Sequence, residues 1–288
     1  MLLVLALPLP ALSQADPTSR SWNQPVEPYK IAGNLYYVGA SDVTSFLITT
    51  PEGHILLDSG FEETVPIIRE NVKKLGFKLE DVKILLTSHA HYDHVGGLAT
   101  LKKLTGARLL VHERDIPQLA RGGKGDPHLG DRFPFRPVQA DRALKDGERV
   151  SLGGTTLTAH LTPGHTRGCT TWTMKAGEHD VVFVCSASIL PGVTLTKNER
   201  YPGIAEDYAK TFQVLKSLPC DIFLAAHAGF YGGPAKAERL RKGAEKNPFI
   251  DPEGYRKYVA AAEKRYRDLL EKERPGSVST PGPGNKPN

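Results

Sequence analysis

Short apolar runs separated by turn residues fill the first part of the chain. Tyr29-Lys30-Ile31-Ala32, Leu35-Tyr36-Tyr37-Val38, Ser45-Phe46-Leu47-Ile48-Thr49-Thr50 and His54-Ile55-Leu56-Leu57 are each of strand length. Gly33-Asn34 and Pro51-Glu52-Gly53 supply turns between them. The pattern predicts an antiparallel meander that ends at Asp58-Ser59-Gly60, a carboxylate on a strand end. The period then changes. Val65, Ile68, Val72 and Leu75 share one helical face, and Gly76 closes that helix. The unbroken apolar run 82–87 predicts a buried strand, Leu98, Leu101 and Leu104 a helix, and 108–112 another strand. Residues 121–140 are rich in Gly, Pro and charge without periodicity and read as a long surface loop. His128 within it is assigned no role.

A second sheet is expected from about residue 143. Val150-Ser151-Leu152 turns at Gly153-Gly154 into a strand over 156–161, which ends in Thr162-Pro163-Gly164-His165-Thr166. Residues 169–174 and 181–185 form the next hairpin, followed by Ser186-Ala187-Ser188 and a loop over 189–203. A helix is expected over about 205–218. A last buried strand over 221–226 ends in His227-Ala228-Gly229, and helices over about 234–246 and 252–273 close the domain. Residues 16–28 read as an extended arm, and 275–288, with no apolar residue beyond Val278, as a disordered tail. Strands alternating with helices place the chain in the α/β class.

The densest candidate chemistry lies at Ser88-His89-Ala90-His91-Tyr92-Asp93-His94-Val95-Gly96-Gly97, between the strand over 82–87 and the next helix. His89, His91, Asp93 and His94 fall within six residues, at the C-terminal end of a strand, where α/β sheets bind ligands. One loop histidine is ordinarily solvated. Four such groups crowded on one turn would leave several polar atoms to satisfy unless a metal takes them up. Imidazole and carboxylate without a nearby cysteine suit zinc best, with iron and manganese as the other options. His165 and His227 also lie just past strand ends, as does Asp58. His89, His91 and His165 would give one metal three nitrogens and an open fourth position; Asp93, His94 and His227 would do the same for a second. Open positions mark catalytic sites. The other five histidines, His54, His112, His128, His160 and His179, read as structural or solvated.

Composition changes this picture little. The 288 residues carry a formal net charge of +5, but Lys and Arg are spread along the chain and no basic block alternates with aromatics. A solvated basic surface is therefore expected rather than nucleic-acid binding. Residues 1–12 are almost entirely apolar and Ser13-Gln14-Ala15 follows, which matches a secretory signal peptide over 1–15 without the usual basic start. The run is too short to span a membrane. Export to the periplasm follows as an expectation. Cys169, Cys185 and Cys220 are the only cysteines, so at least one thiol is left over; Cys169 and Cys185 fit either a bridge or two buried thiols. No heptad or repeated hydrophobic face stands out to settle the oligomeric state, and a monomer is taken as the expectation.

The run His89-x-His91-x-Asp93-His94 with His165 and His227, in that order and spacing, resembles the metallo-β-lactamase superfamily. The resemblance spans about residues 28–273. It implies an αββα sandwich, two mixed sheets between outer helices, in one domain over 16–274. Relatives that cleave thioesters, lactones or nucleic acids carry a bridging aspartate after the strand that here ends in Cys185-Ser186-Ala187-Ser188. No carboxylate stands there, and Ser-x-Ser is similar to subclass B3, in which the second metal takes Asp, His and His. That resemblance implies two Zn2+ ions and a hydrolase that opens the β-lactam ring of penicillins, cephalosporins and carbapenems, conferring antibiotic resistance. In that scheme Asp93 is both a ligand and the group that orients the attacking water. Ser186 and Ser188 bind the substrate carboxylate, and Asp58 holds a ligand histidine or the loop backbone. Two departures are visible. No cysteine follows Cys220 to pair with it, and Val193 and Thr194 occupy the region where some members place a tyrosine. A lactonase or thioesterase of the same fold, and a non-catalytic periplasmic zinc-binding protein, are the alternatives.

Overall fold

The computed structural model describes residues 17–274. The proposed leader over 1–15 and the tail over 275–288 lie outside the described residues. Seven strands form the first sheet in sequence order: β1 (Tyr29–Ala32), β2 (Leu35–Tyr37), β3 (Phe46–Thr50), β4 (Gly53–Leu57), β5 (Val82–Leu86), β6 (Arg108–His112) and β7 (Arg142–Leu144). The first four are antiparallel neighbours, and β4 to β7 run parallel. The second sheet has the order β12-β11-β10-β9-β8, from β8 (Arg149–Leu152), β9 (Thr155–Leu161), β10 (Thr170–Ala176), β11 (His179–Val184) and β12 (Ile222–Ala225). It is antiparallel apart from the β11–β12 pair.

Period-two alternation builds the layers. Phe46, Ile48, Ile55 and Leu57 belong to the core shared with the second sheet, where Phe46 meets Phe183 edge-on at 5.1 Å. Their neighbours Leu47 and Leu56 turn the other way, onto Val65, Ile68 and Val72 and onto Leu98 and Leu101. Those residues are the apolar stripes of two helices. The α-helices of the described residues are α1 (Pro17–Trp22), α2 (Val65–Lys74), α3 (Tyr92–Val95), α4 (Leu98–Thr105), α5 (Ile116–Ala120), α6 (Ile204–Ser217), α7 (Gly233–Arg241) and α8 (Pro252–Lys272). On the far side, Phe223 of β12 packs against Tyr255 of α8 at 5.4 Å, and Phe212 of α6 against Tyr266 at 5.4 Å. The arrangement is the expected helix–sheet–sheet–helix sandwich. No helix among the described residues is long and apolar enough to cross a membrane.

Three sequence expectations need correction. Residues 142–144 do not open the second sheet; they extend the first, pairing parallel with β6. The long segment after α5 is the crossover that returns the chain to the same sheet, and the second sheet starts only at Arg149. The arm over 16–28 is not extended throughout, since 17–22 form a helix with proline at its first turn, where a missing N–H costs nothing. The helix expected to reach 246 stops at Arg241, because Gly243 takes a left-handed φ of 75° while its N–H bonds back to Leu240. The cysteine question is decided as well: Cys169 and Cys185 are joined as a disulfide across the β10–β11 pair. Cys220 is free, and burial pushes its thiol up to about 12.

Candidate metal centre

Four strand ends converge along one edge of the sandwich. β5 leads into the turn carrying His89 and His91, and α3 carries Asp93 and His94. The turn between β9 and β10 carries His165, and His227 follows β12. Gly96 and Gly97 let α3 settle against the chain after β4. A Cβ at Gly96 would stand 2.9 Å from the Glu62 nitrogen, and one at Gly97 3.0 Å from the Ser59 carbonyl oxygen. The end of β4 grips α3 from below. Ser59 donates both its N–H and its hydroxyl to the His94 carbonyl, each at 2.9 Å. Asp58 is the one non-glycine among the described residues with a positive φ, at 62°. Asp is among the few residues that tolerate this left-handed backbone, and here its Oδ1 accepts the Ser88 N–H from the ligand turn at 2.6 Å.

The six candidate ligands fall into two clusters, His89 with His91 and His165, and Asp93 with His94 and His227. In the first, the three imidazole centroids form an equilateral triangle 4.8 Å on each side. Two of its rings are anchored through the nitrogen pointing away. His89 Nδ1 meets Ser88 Oγ at 3.0 Å, and His165 Nδ1 meets the Ser188 carbonyl at 2.9 Å. His89 Nε2 is left buried without a hydrogen-bond partner. In the second, Asp93 Oδ2, His94 Nε2 and His227 Nε2 stand 3.2, 3.3 and 3.4 Å apart. Donors about 2.0–2.1 Å from one tetrahedral ion are spaced about 3.3 Å, so this triangle has the size of a zinc face. The clusters adjoin, with the His89 and His94 rings 4.3 Å apart. The donor chemistry and spacing fit two zinc ions.

Burial and charge act differently on the candidate ligands: burial opposes charge on His91, but Asp126 beside it raises its value. Burial, then the neighbouring imidazoles, holds His89 and His165 well below the usual histidine value, so both offer neutral nitrogen. Burial alone would raise Asp93, but His94 and His227 override it and keep its carboxyl well below the usual range. Burial opposes charge on His227 too, yet Asp42 and Asp93 raise it to about 9. Asp58 lies with its Oδ2 3.8 Å from His94 Nδ1, beyond hydrogen-bond reach, and burial raises its carboxyl. Ser186 Oγ and Ser188 Oγ are 2.9 Å apart, and Ser188 Oγ is also 3.3 Å from His165 Nδ1. Ser186 is buried and Ser188 half-buried.

Several contributors had no individual role assigned from sequence, although the run Asp42-Val43-Thr44-Ser45-Phe46 is similar to subclass B3 and its loop was expected to flank the substrate. Asp42 accepts a bond from His227 Nδ1 at 2.8 Å and from the Gly229 N–H at 2.8 Å. Trp22 accepts the Asp42 N–H at its carbonyl and meets the His227 ring edge-on at 5.1 Å. Asp126 faces His91 Nε2 at 3.4 Å and takes the His128 and Leu129 N–H groups at 2.8 Å each. His128, left without a role, contacts the Gly164 carbonyl at 3.2 Å and stacks on Tyr201 at 5.6 Å, which fixes the long loop beside the His165 turn. For Asp126 the only available signal was an acidic residue in a loop, which is common and unspecific.

Comparison with known proteins agrees with this geometry. The model of the metallo-beta-lactamase superfamily matches residues 38–227. The native FEZ-1 metallo-beta-lactamase of Legionella gormanii is 47% identical, with 87% of this chain and 98% of that chain covered and a TM-score of 0.85. The class B3 di-zinc metallo-beta-lactamase LRA-12 from an Alaskan soil metagenome is 38% identical, with 91% and 98% covered and a TM-score of 0.82. Among curated proteins, a hydroxyacylglutathione hydrolase of Pseudomonas aeruginosa is 39% identical over 92 residues, 32% of this chain. That match spans only 27% of the relative's own length. The chain belongs to the metallo-beta-lactamase superfamily, and its structural neighbours are subclass B3 members of it.

Proposed function

We propose that this protein is a zinc-dependent β-lactamase of the B3 kind, acting on penicillins, cephalosporins and carbapenems. The observation that carries the reading is the composition of the two clusters: five histidines and one carboxylate, Asp93, with hydroxyls in place of an acid after β11. The likeness to FEZ-1 over 87% of this chain and 98% of that chain supports it. Bound by these residues, two zinc ions would supply Lewis acidity and a water acidified to a pKa near about 7. The chain's own groups do the rest. Asp93, held ionised, accepts a hydrogen bond from the attacking water and sets its approach to the lactam carbonyl. Asp42, Ser88 and the Ser188 carbonyl fix His227, His89 and His165 through their outer nitrogens, so the rings need no reorganisation as the reaction proceeds. Ser188, half-buried beside the clusters, offers its hydroxyl to the substrate carboxylate, with Ser186 behind it. The protein is proposed to act as a monomer on a single small substrate. Export by the 1–15 segment would place it in the periplasm, where it would confer resistance.

The likeness to a hydroxyacylglutathione hydrolase over 92 residues supports a second reading, a thioesterase or lactonase. The missing acid after β11 favours the first. Hydrolysis of a cephalosporin, a carbapenem, an acyl lactone and a thioester, each with and without a chelator, separates them. Chelator-sensitive turnover of the β-lactams is expected. Turnover of the lactone or thioester alone would sink the β-lactamase reading, and no turnover despite two bound zincs would point to a binding protein.

A further inference from the structure

The three-histidine cluster takes its ligands from two loops, the turn after β5 and the turn between β9 and β10. At their bases these loops are tied directly, the Thr170 N–H donating to the Ser88 carbonyl at 2.8 Å. Nearer the ligands a third segment joins them. Asp115, between β6 and α5, is 2% exposed. Its Oδ2 accepts the Ala90 N–H at 2.9 Å and the Thr166 hydroxyl at 2.9 Å, and its Oδ1 accepts the Gly168 N–H at 2.7 Å. Ala90 separates His89 from His91, and Thr166 follows His165. We propose that Asp115 is a positioning residue, a clasp that sets the spacing of His89, His91 and His165 for their metal.

Two observations go beyond ordinary loop packing. Asp115 occupies the N-cap position of α5 but makes no side-chain cap bond to that helix. Its carboxylate serves the two ligand loops instead of its own element. Gly168 shows the same closeness from the other side. A Cβ there would stand 2.6 Å from the Asp115 nitrogen and 2.7 Å from its Cγ, and Gly168 does not have a left-handed φ. Glycine is needed for the approach to Asp115, not for its backbone angle. The chemistry of the clasp is specific as well. A carboxylate offers only acceptors, and all three partners are donors. Asparagine has the same shape but would turn an NH2 group toward one of them.

The proposal rests on the clusters holding metal and not on the identity of the substrate. Its test is Asp115→Asn in the full chain. Zinc is titrated against a chromophoric chelator, and Co(II) is loaded in parallel so that ligand-field absorption identifies each site. The wild type is expected to bind two ions. The variant should keep its affinity at Asp93, His94 and His227 and lose about 10- to 100-fold at the three-histidine site, the range for removing a group that orients a metal ligand. A residue serving stability alone would lower the thermal midpoint and weaken both sites alike or neither, and either result overturns the proposal. Should Asp115→Asn not fold, Thr166→Val removes one of the three bonds and decides the matter. About a 5-fold loss at the same site is expected, and unchanged zinc affinity overturns the clasp. A wild-type chain that takes up neither zinc nor cobalt would end the metal reading itself. Two well-bound ions in the wild type and equally bound ions in the variant would end only this inference.

Discussion

Trp172→Phe tests how the core is coupled to the turn that carries the candidate metal ligands. Trp172 lies on β10, 1% exposed in the inter-sheet core, and its Nε1–H donates to the Thr87 carbonyl at 3.0 Å. Thr87 begins the ligand turn, and its hydroxyl donates to the His89 carbonyl at 3.2 Å. The substitution removes the indole donor from a buried carbonyl, a loss of about 1–3 kcal/mol. It also leaves a void on the order of 40 Å³, which at about 24 cal/mol per Å³ adds about 1 kcal/mol. The sum, about 2–4 kcal/mol, corresponds to a fall in Tm of roughly 5–15 °C for a domain of this size. Urea denaturation of the zinc-stripped protein, with the slope unchanged, measures it. Phe183→Leu is the control. Phe183 is the cross-strand partner of Trp172 in the same core, and truncating it removes packing without a hydrogen bond, at about 1 kcal/mol. Equal losses for the two variants would show that the indole bond contributes nothing, and the link from the core to the ligand turn would fall.

Two further outcomes are expected. The zinc-stripped protein should lose stability as pH rises from about 6.5 to about 9. Asp42 and Asp93 lift His227 to about 9 against burial, so its contribution is complete below the unfolded value and vanishes above the folded one, about 3 kcal/mol in all. Zinc needs the neutral ring, so zinc affinity should rise across the same window. Denaturation midpoints at pH 6.5 and 9, with and without zinc, check both signs, and a stripped protein that gains stability toward pH 9 contradicts them. The Cys169–Cys185 bridge closes a separation of 16 residues, which is worth about 3 kcal/mol in chain entropy. Replacing both cysteines by serine should lower the urea midpoint accordingly, and identical midpoints would refute that estimate.

Strand lengths, the stripe of α2 and the alternation of β3 and β4 could be read from the chain because they depend on neighbours within a few residues. Side chains two apart face one layer in a strand, and those three or four apart share one side of a helix. The same locality made His89, His91, Asp93 and His94 legible, since they crowd one turn. His165 and His227 could be placed because strand ends are marked by turn residues. Other features depended on which loops meet, and no local period encodes that. β7 reads like any short strand, and only sheet order puts it beside β6. Cys169 and Cys185 admitted a bridge or two thiols until the hairpin register brought them together. Asp42 reaches His227 across 185 residues of chain, and Asp115 reaches Ala90 and Gly168 across 25 and 53. In sequence each is one acidic residue in a loop. The sequence therefore marks the candidate metal ligands, which are chemically unusual and lie at strand ends. The groups that hold those ligands in place are chemically ordinary, and they acquire that role only when the fold brings distant loops within hydrogen-bond reach.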